Sequence, residues 1–216
     1  MPKPARGYQV RLKAEQKEDV RRQYLDGVHY TQIIEQYNCS TGSFWAIVKD
    51  LRKEVYRKQF DEHVARLQQI PVEQLGWVAG IIDGEGYIGL VPNFQKGRVV
   101  GIMPRIDISS TTPIMQERLA SVLGMGLLYY KRKRENRPKE KPQTSWSTWS
   151  NCNVGPLLQV ILPHLVVKKP IAEIVLEHCK RRLINDMQPY TNEDLHAVDE
   201  VRRLNGRRKS HKKLAE

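Results

Sequence analysis

Between residues 98 and 109 the chain alternates. Val100, Ile102, Ile106 and Ile108 fall on one side, and Met103, Arg105, Asp107 and Ser109 on the other, with Pro104 as the one interruption. Period-two spacing predicts a strand with one face in a core and polar groups on the other. Elsewhere the period is longer. Phe44, Ile47, Val48 and Leu51 recur at i, i+3, i+4 and i+7. That predicts an amphipathic helix starting at Ser40 or Thr41, both good N-caps, and continuing toward residue 57. Helices over 14–26, stopped by Gly27, and over 31–37 precede it, with a turn at Asn38-Cys39-Ser40. Residues 58–69 read as a charged helical linker, and Pro71 is a natural boundary.

Beyond Pro71 the pattern predicts a helix over 72–83 and strands over 86–91 and 98–109, with a turn at 92–97 between them. A helix opens at Thr112-Pro113 and ends before Gly124. Strands follow from 126 and over 144–150, then helices over 156–162, from near 170 to 187, and over 192–204. Trp146 and Trp149 lie three apart in a strand, so they point to opposite faces, one of them toward the core. The order α-β-β-α-β-β-α predicts an α+β fold. Two antiparallel hairpins form one four-stranded sheet, with helices on one face and the polar face free. A small all-α domain precedes it. The expected division is 1–70, 71–190 and a C-terminal helix and tail over 191–216.

Charge narrows the function. The 216 residues carry a net charge of +12, which suggests a polyanion partner, most simply nucleic acid. No long amphipathic basic helix supports a membrane-surface role, and no apolar run approaches the ~18 residues of a membrane span. The start, Met-Pro-Lys-Pro-Ala-Arg-Gly, has no signal-peptide core. Cys39, Cys152 and Cys179 are scattered with no Cys-x-x-Cys, which opposes zinc and a disulfide framework and fits a reducing, intracellular setting. Residues 131–141 hold seven Lys or Arg against two Glu. They predict a basic hairpin arm that contacts DNA through Tyr129, Lys131, Lys133 and Arg134. Arg98, Arg105 and Asp107 occupy the sheet's free side, facing bases or phosphates. A basic two-stranded ribbon fits a major groove.

The chain is organised around residues 75–90. Gly76, Ala79 and Gly80 share a helical face open to another helix. The glycines of Asp83-Gly84-Glu85-Gly86 permit a tight turn and a close approach from outside, and the stretch reads as a helix that delivers a carboxylate at its end, directly followed by a strand. Carboxylate oxygens so placed suit a hard cation such as Mg²⁺. The core Val-Ala-Gly-Ile-Ile-Asp-Gly-Glu-Gly, residues 78–86, resembles the LAGLIDADG motif of homing endonucleases and their maturase relatives, with Glu85 where Asp is more frequent.

The resemblance extends over about 72–187 and implies a saddle-shaped αββαββα fold in which two motif helices pack together. One motif per chain then implies a homodimer with Gly76, Ala79 and Gly80 at its interface. It further implies Mg²⁺-dependent cleavage of both strands of a long, near-palindromic DNA site. Glu85 and the Gly84 carbonyl would ligate the metal, with Asp83 in a supporting role. Lys168, after Pro163-His164-Leu165, matches a lysine that lies near the reactive phosphate in the family. Ser110 is the nearest match to the family's polar strand-end residue, with Asp107 and Ser109 as alternatives.

Residues 27–49 look like the helix-turn-helix of resolvase-type modules. Tyr30, Ile33, Tyr37, Cys39, Phe44 and Ile47 take the core positions, and Ile34 stands where a small residue is usual. Thr41, Ser43, Ala46 and Lys49 would face the groove, and Trp45 either side. Two other functions fit the same fold: a non-cleaving DNA-binding regulator, and an RNA maturase, since phosphates attract Lys and Arg in both polymers. Retention of Glu85 and Lys168 opposes the regulator.

Overall fold

The computed structural model describes residues 12–131, 142–184 and 188–206. They form two compact units that divide between Lys58 and Gln59, upstream of Pro71.

The first unit holds α1 (Ala14–Leu25), α2 (Tyr30–Tyr37) and α3 (Thr41–Val48). Gly27 has a φ of +85° and ends the first helix. Asn38, also left-handed, ends α2, and the Ser40 hydroxyl accepts the Ser43 amide at 2.9 Å to open α3. Val20, Tyr24, Ile33, Cys39, Phe44 and Val48 form the core, joined by Val55. Trp45 turns inward, edge-on to Phe44 at 5.0 Å and beneath the Arg52 guanidinium. The helix expected to continue toward 57 breaks at residues 49–51. The Arg21 guanidinium takes the Ile47 carbonyl at 2.8 Å and grips both oxygens of Asp50 at 2.7 Å. The Leu51 amide turns to Val48 instead. A new helix, α4 (Arg52–Leu67), follows, so 58–67 is helical as expected, with Phe60, Val64 and Leu67 in the core of the second unit.

The second unit runs α5 (Val72–Glu85), β1 (Gly86–Gln95), β2 (Arg98–Ser110), α6 (Pro113–Leu123), β3 (Leu127–Lys131), β4 (Gln143–Trp149), α7 (Asn151–Ile161), α8 (Lys169–Ile184) and α9 (Asn192–Leu204). The four strands form one antiparallel sheet in the order β1-β2-β4-β3. Ile88, Leu90, Ile102, Ile106, Ile108 and Trp146 line the face that meets the helices. Trp146 is fully buried, and its indole N–H donates to the Met125 carbonyl at 2.9 Å.

Three expectations about this unit change. The first hairpin is longer: β1 runs on to Gln95, and the turn is only Lys96-Gly97, both at positive φ. That is the primed geometry matching strand twist. Pro92 fits inside β1 because β1 is an edge strand. Val100 leaves the core row. The pairing shifts after Asn93, so Phe94 pairs with Val99 and Val100 has no partner on β1. Val99 packs against the core, while Val100 is 47% exposed. Finally, α7 starts at Asn151 and Pro156 lies inside it. A proline cannot donate to the Cys152 carbonyl four residues earlier. His63 of α4 takes that carbonyl through Nδ1 at 2.8 Å.

The last helix belongs to this unit. Val198 and Val201 enter the common core, and the Asn205 amide donates to Ile88 on the edge strand at 3.0 Å. Among the described residues, no helix is long and apolar enough to cross a membrane.

Candidate active site and nucleic-acid interface

The acidic tetrad is not a loop. Asp83, Gly84 and Glu85 form the last turn of α5, and the chain enters β1 at Gly86 with no connecting residue. Gly86 has ordinary extended backbone; its need is for space. A β-carbon there would lie 2.7 Å from the Ile82 carbonyl oxygen and 2.8 Å from its Cα. The small residue thus lets the strand leave the helix directly, and fixes Glu85 where the two meet.

Two helix ends neutralise each other at this point. The Asp83 carboxylate accepts the amides of Val166 (2.7 Å), Val167 (3.3 Å) and Lys168 (2.8 Å), which lead into α8. An anion at a helix N-terminus is favourable. Burial pushes the Asp83 carboxyl up, but the three amides and the Lys168 charge outweigh it, and its pKa lies below the ordinary value. In return the Lys168 ammonium donates to the carbonyls of Ile82, at 2.9 Å, and Asp83, at the C-terminus of α5. Burial lowers the Lys168 pKa, against the opposing pull of the Asp83 and Glu85 carboxylates. A lysine just before α8 is therefore placed well, because its charge serves the end of α5 instead. Asp83, Glu85 and Lys168 come together although 168 is far away in sequence.

Ser110 stands apart from this cluster in its bonding. Its hydroxyl accepts the Thr112 amide at 3.0 Å and shapes the entry to α6. It lies at the same end of the sheet as Glu85, since Gly86 pairs with Ile108. The buried Gln116, which the sequence did not single out, completes this corner: its amide bridges the Ser110 amide and the Thr112 carbonyl.

The glycine face of α5 is resolved residue by residue. Gly76, Gly80 and Gly84 are exposed and four apart, and a β-carbon on any of them meets nothing within 4 Å. Ala79, grouped with them in sequence, is fully buried with Leu75, Val78 and Ile82. The stripe is flanked at its start by Val72, 59% exposed. Beside Asp83 stand Val166 and Val167, 81% and 73% exposed. Sequence reasoning missed these two valines because nothing local marks them; only the long-range Asp83 contact places them here.

The sheet's other face is open. Cross-strand rows bring Tyr87, Asp107, Ser147 and Leu127 together, and Arg105 beside Trp149. Arg105 pairs with Asp107, Ser147 donates to Asp107, and Ser109 bonds Ser145. Tyr129 is exposed and stacks on Trp149 at 6.4 Å. Arg98 is exposed at the hairpin end. Lys131 closes β3, while Lys133 and Arg134 lie outside the described residues. In the first unit Thr41, Ser43, Ala46 and Lys49 are all exposed on or at the end of α3.

As a metal site, one chain offers little. Among the described residues no three His, Cys, Asp or Glu side chains cluster. It does supply an exposed carboxylate, Glu85, and a carbonyl, Gly84, in a helix's last turn. All-oxygen donors in small number suit Mg²⁺, which keeps waters and shares substrate phosphates.

No protein-family model matches the chain. No curated protein matches it. Among solved structures it is similar to the homing endonuclease I-CvuI, in complex with the I-CreI target in the presence of Mg, the DNA not cleaved. That likeness has 21% identity, 63% of this chain, 84% of that chain and a TM-score of 0.51. It is also similar to the archaeal intron-encoded homing endonuclease I-Vdi141I complexed with DNA, at 18% identity, over 65% of this chain and 89% of that one, with a TM-score of 0.53. At such identities the likeness is one of fold: the α+β fold of LAGLIDADG homing endonucleases, with its four-stranded antiparallel sheet.

Proposed function

We propose that this chain is a site-specific, Mg²⁺-dependent double-strand DNA endonuclease that acts as a homodimer on a long, near-palindromic site. The observation that carries the reading is the end of α5, where Glu85 stands exposed beside a lysine held on the helix's own carbonyls. The lysine also caps α5, but a protein that only bound DNA would have no need of an exposed carboxylate beside it. The net charge of +12 and the open sheet face supply the binding side.

Cutting two strands takes two centres, and each chain holds one. The exposed Gly76–Gly80–Gly84 stripe, flanked by Val72, Val166 and Val167, suits an isologous contact that brings two Glu85 side chains together. Glu85 and the Gly84 carbonyl of each copy, with phosphate oxygens of the DNA, would hold Mg²⁺. A divalent ion held by these groups would supply an acidified water and positive charge toward the phosphate. Lys168 adds a fixed positive charge where the phosphate charge grows. Asp83 positions Lys168 by tying down its backbone amide, and Ser110 supports the strand end. Arg98, Arg105, Asp107, Tyr129, Lys131, Lys133 and Arg134 serve the DNA-facing surface. The first unit is a helix-turn-helix that extends the footprint through Thr41, Ser43 and Lys49. Its free cysteine, Cys39, and those of the second unit suit a reducing, intracellular compartment with access to DNA.

The test is cleavage of a randomised DNA library with Mg²⁺, sequencing the cut ends, beside Glu85→Gln. Staggered cuts at one long shared site are expected, lost in Glu85→Gln by at least ~10²-fold while binding persists. Sequence-specific binding by both proteins with no cutting by either would overturn the catalytic assignment.

A further inference from the structure

The middle of the open sheet face mixes polar side chains with exposed apolar ones. There Arg105 Nε faces Asp107, Asp107 accepts from Ser147, and Ser109 bonds Ser145. These polar side chains are turned on one another. Beside the exposed Arg105 guanidinium and Tyr129, two aliphatic side chains stand out. Met103 is 38% exposed, with Val91 directly opposite it on β1, and Leu127 is 52% exposed beside Ser147. Side chains with open donors and acceptors lie farther out, at Asn93, Gln95 and Arg98 near the hairpin turn and at Gln143.

A duplex major groove offers one apolar feature, the C5-methyl of thymine; its other edge groups are donors and acceptors. A bare methionine or leucine against an exocyclic amine or carbonyl would strip water from that group and return no hydrogen bond. We infer that Met103 and Leu127 are specificity-determining residues that read thymine methyl groups. The protein's site therefore carries thymine at the positions opposite Met103 and Leu127, and hydrogen-bonded bases under the hairpin end. This rests on the DNA-binding reading above. The commitment to DNA, over an apolar protein partner, follows from the charge: a face carried by a chain of net charge +12 and bordered by Arg98 is complementary to phosphate.

Deoxyuridine tests this, because it lacks only the methyl and keeps the Watson–Crick edge and the phosphate. The full chain would first be used to select a bound site from random duplexes in Ca²⁺. Each thymine would then be replaced singly by deoxyuridine and the Kd measured. Losing one buried methyl, ~0.8 kcal/mol, corresponds to about fourfold weaker binding. That loss is expected at a few thymines only. Met103→Ser or Leu127→Ser should abolish it at those positions while leaving the remaining bases read as before. Both side chains are exposed, so folding is not at stake, and circular dichroism checks it. A flat deoxyuridine scan on a site bound sequence-specifically overturns the inference and leaves the endonuclease reading standing. Failure to select any site overturns both, and is told apart because the unmodified thymine site is then not bound.

Discussion

A β-carbon at residue 86 would stand 2.7 Å from the Ile82 carbonyl oxygen, a backbone atom that cannot swing aside. The conformation itself is unstrained, since Gly86 has a φ of −79°. Gly86→Ala should therefore cost stability through overpacking, about 2 kcal/mol, read as a lowered urea midpoint at unchanged slope. It should also displace Glu85, because the helix end must shift to admit the methyl. Gly84→Ala, two residues earlier, meets nothing within 4 Å and should hold or raise the urea midpoint of the isolated chain. The contrast separates a glycine required by the chain's own backbone from one whose openness is visible only to something outside it.

At the scale of elements, the joint between α8 and α9 sets a pH limit. His178 is fully buried, with its Nδ1 3.3 Å from Asp194. Burial pushes its pKa down from 6.5 to about 4, against the Asp194 carboxylate and the Ile102 backbone, and with Arg181 and Arg182 adding to the depression. The unfolded chain takes up this proton near pH 6.5, whereas the folded chain refuses it until about pH 4. Stability is thus whole above 6.5 and falls as pH drops toward 4, by at most ~3 kcal/mol. Urea midpoints across pH 7 to 4 should show this decline, and His178→Leu should flatten it. Neither this joint nor the Asp83–Lys168 exchange is visible in sequence, because each joins groups on different elements whose packing no local pattern marks. What the sequence does carry is local. The alternation from Ile102 to Ile108, the Pro113 start of α6 and the Ser40 cap all stand as read. Legibility stops where a partner from elsewhere takes over a backbone group. Arg21 on the Ile47 carbonyl ended a helix that periodicity would have continued, and His63 on the Cys152 carbonyl allowed a proline inside α7. The acidic motif is legible as chemistry and as a helix end that runs straight into a strand; the glycines on either side of Glu85 hide only that the helix extends past residue 83 to Glu85.

For the molecule as a whole, the question is why a helix should leave three glycines, four apart, with empty space beyond them. Within one chain the stripe is a cost: each exposed helical glycine gives up ~1 kcal/mol relative to alanine. The stripe becomes sensible when a second α5 lies against it, since only glycine lets two backbones approach so closely. Gly80→Leu discriminates between these cases. The isolated chain has room for the side chain, so its urea midpoint should hold or rise. A dimer built on the stripe has none, and sedimentation at micromolar concentration should show the monomer. DNA cleavage should then fail on both strands even though Glu85, Lys168 and the sheet face are untouched, because the second centre no longer arrives. A Gly80→Leu protein that still sediments as a dimer would place the contact between copies elsewhere, and would leave the glycines of α5 without a reason.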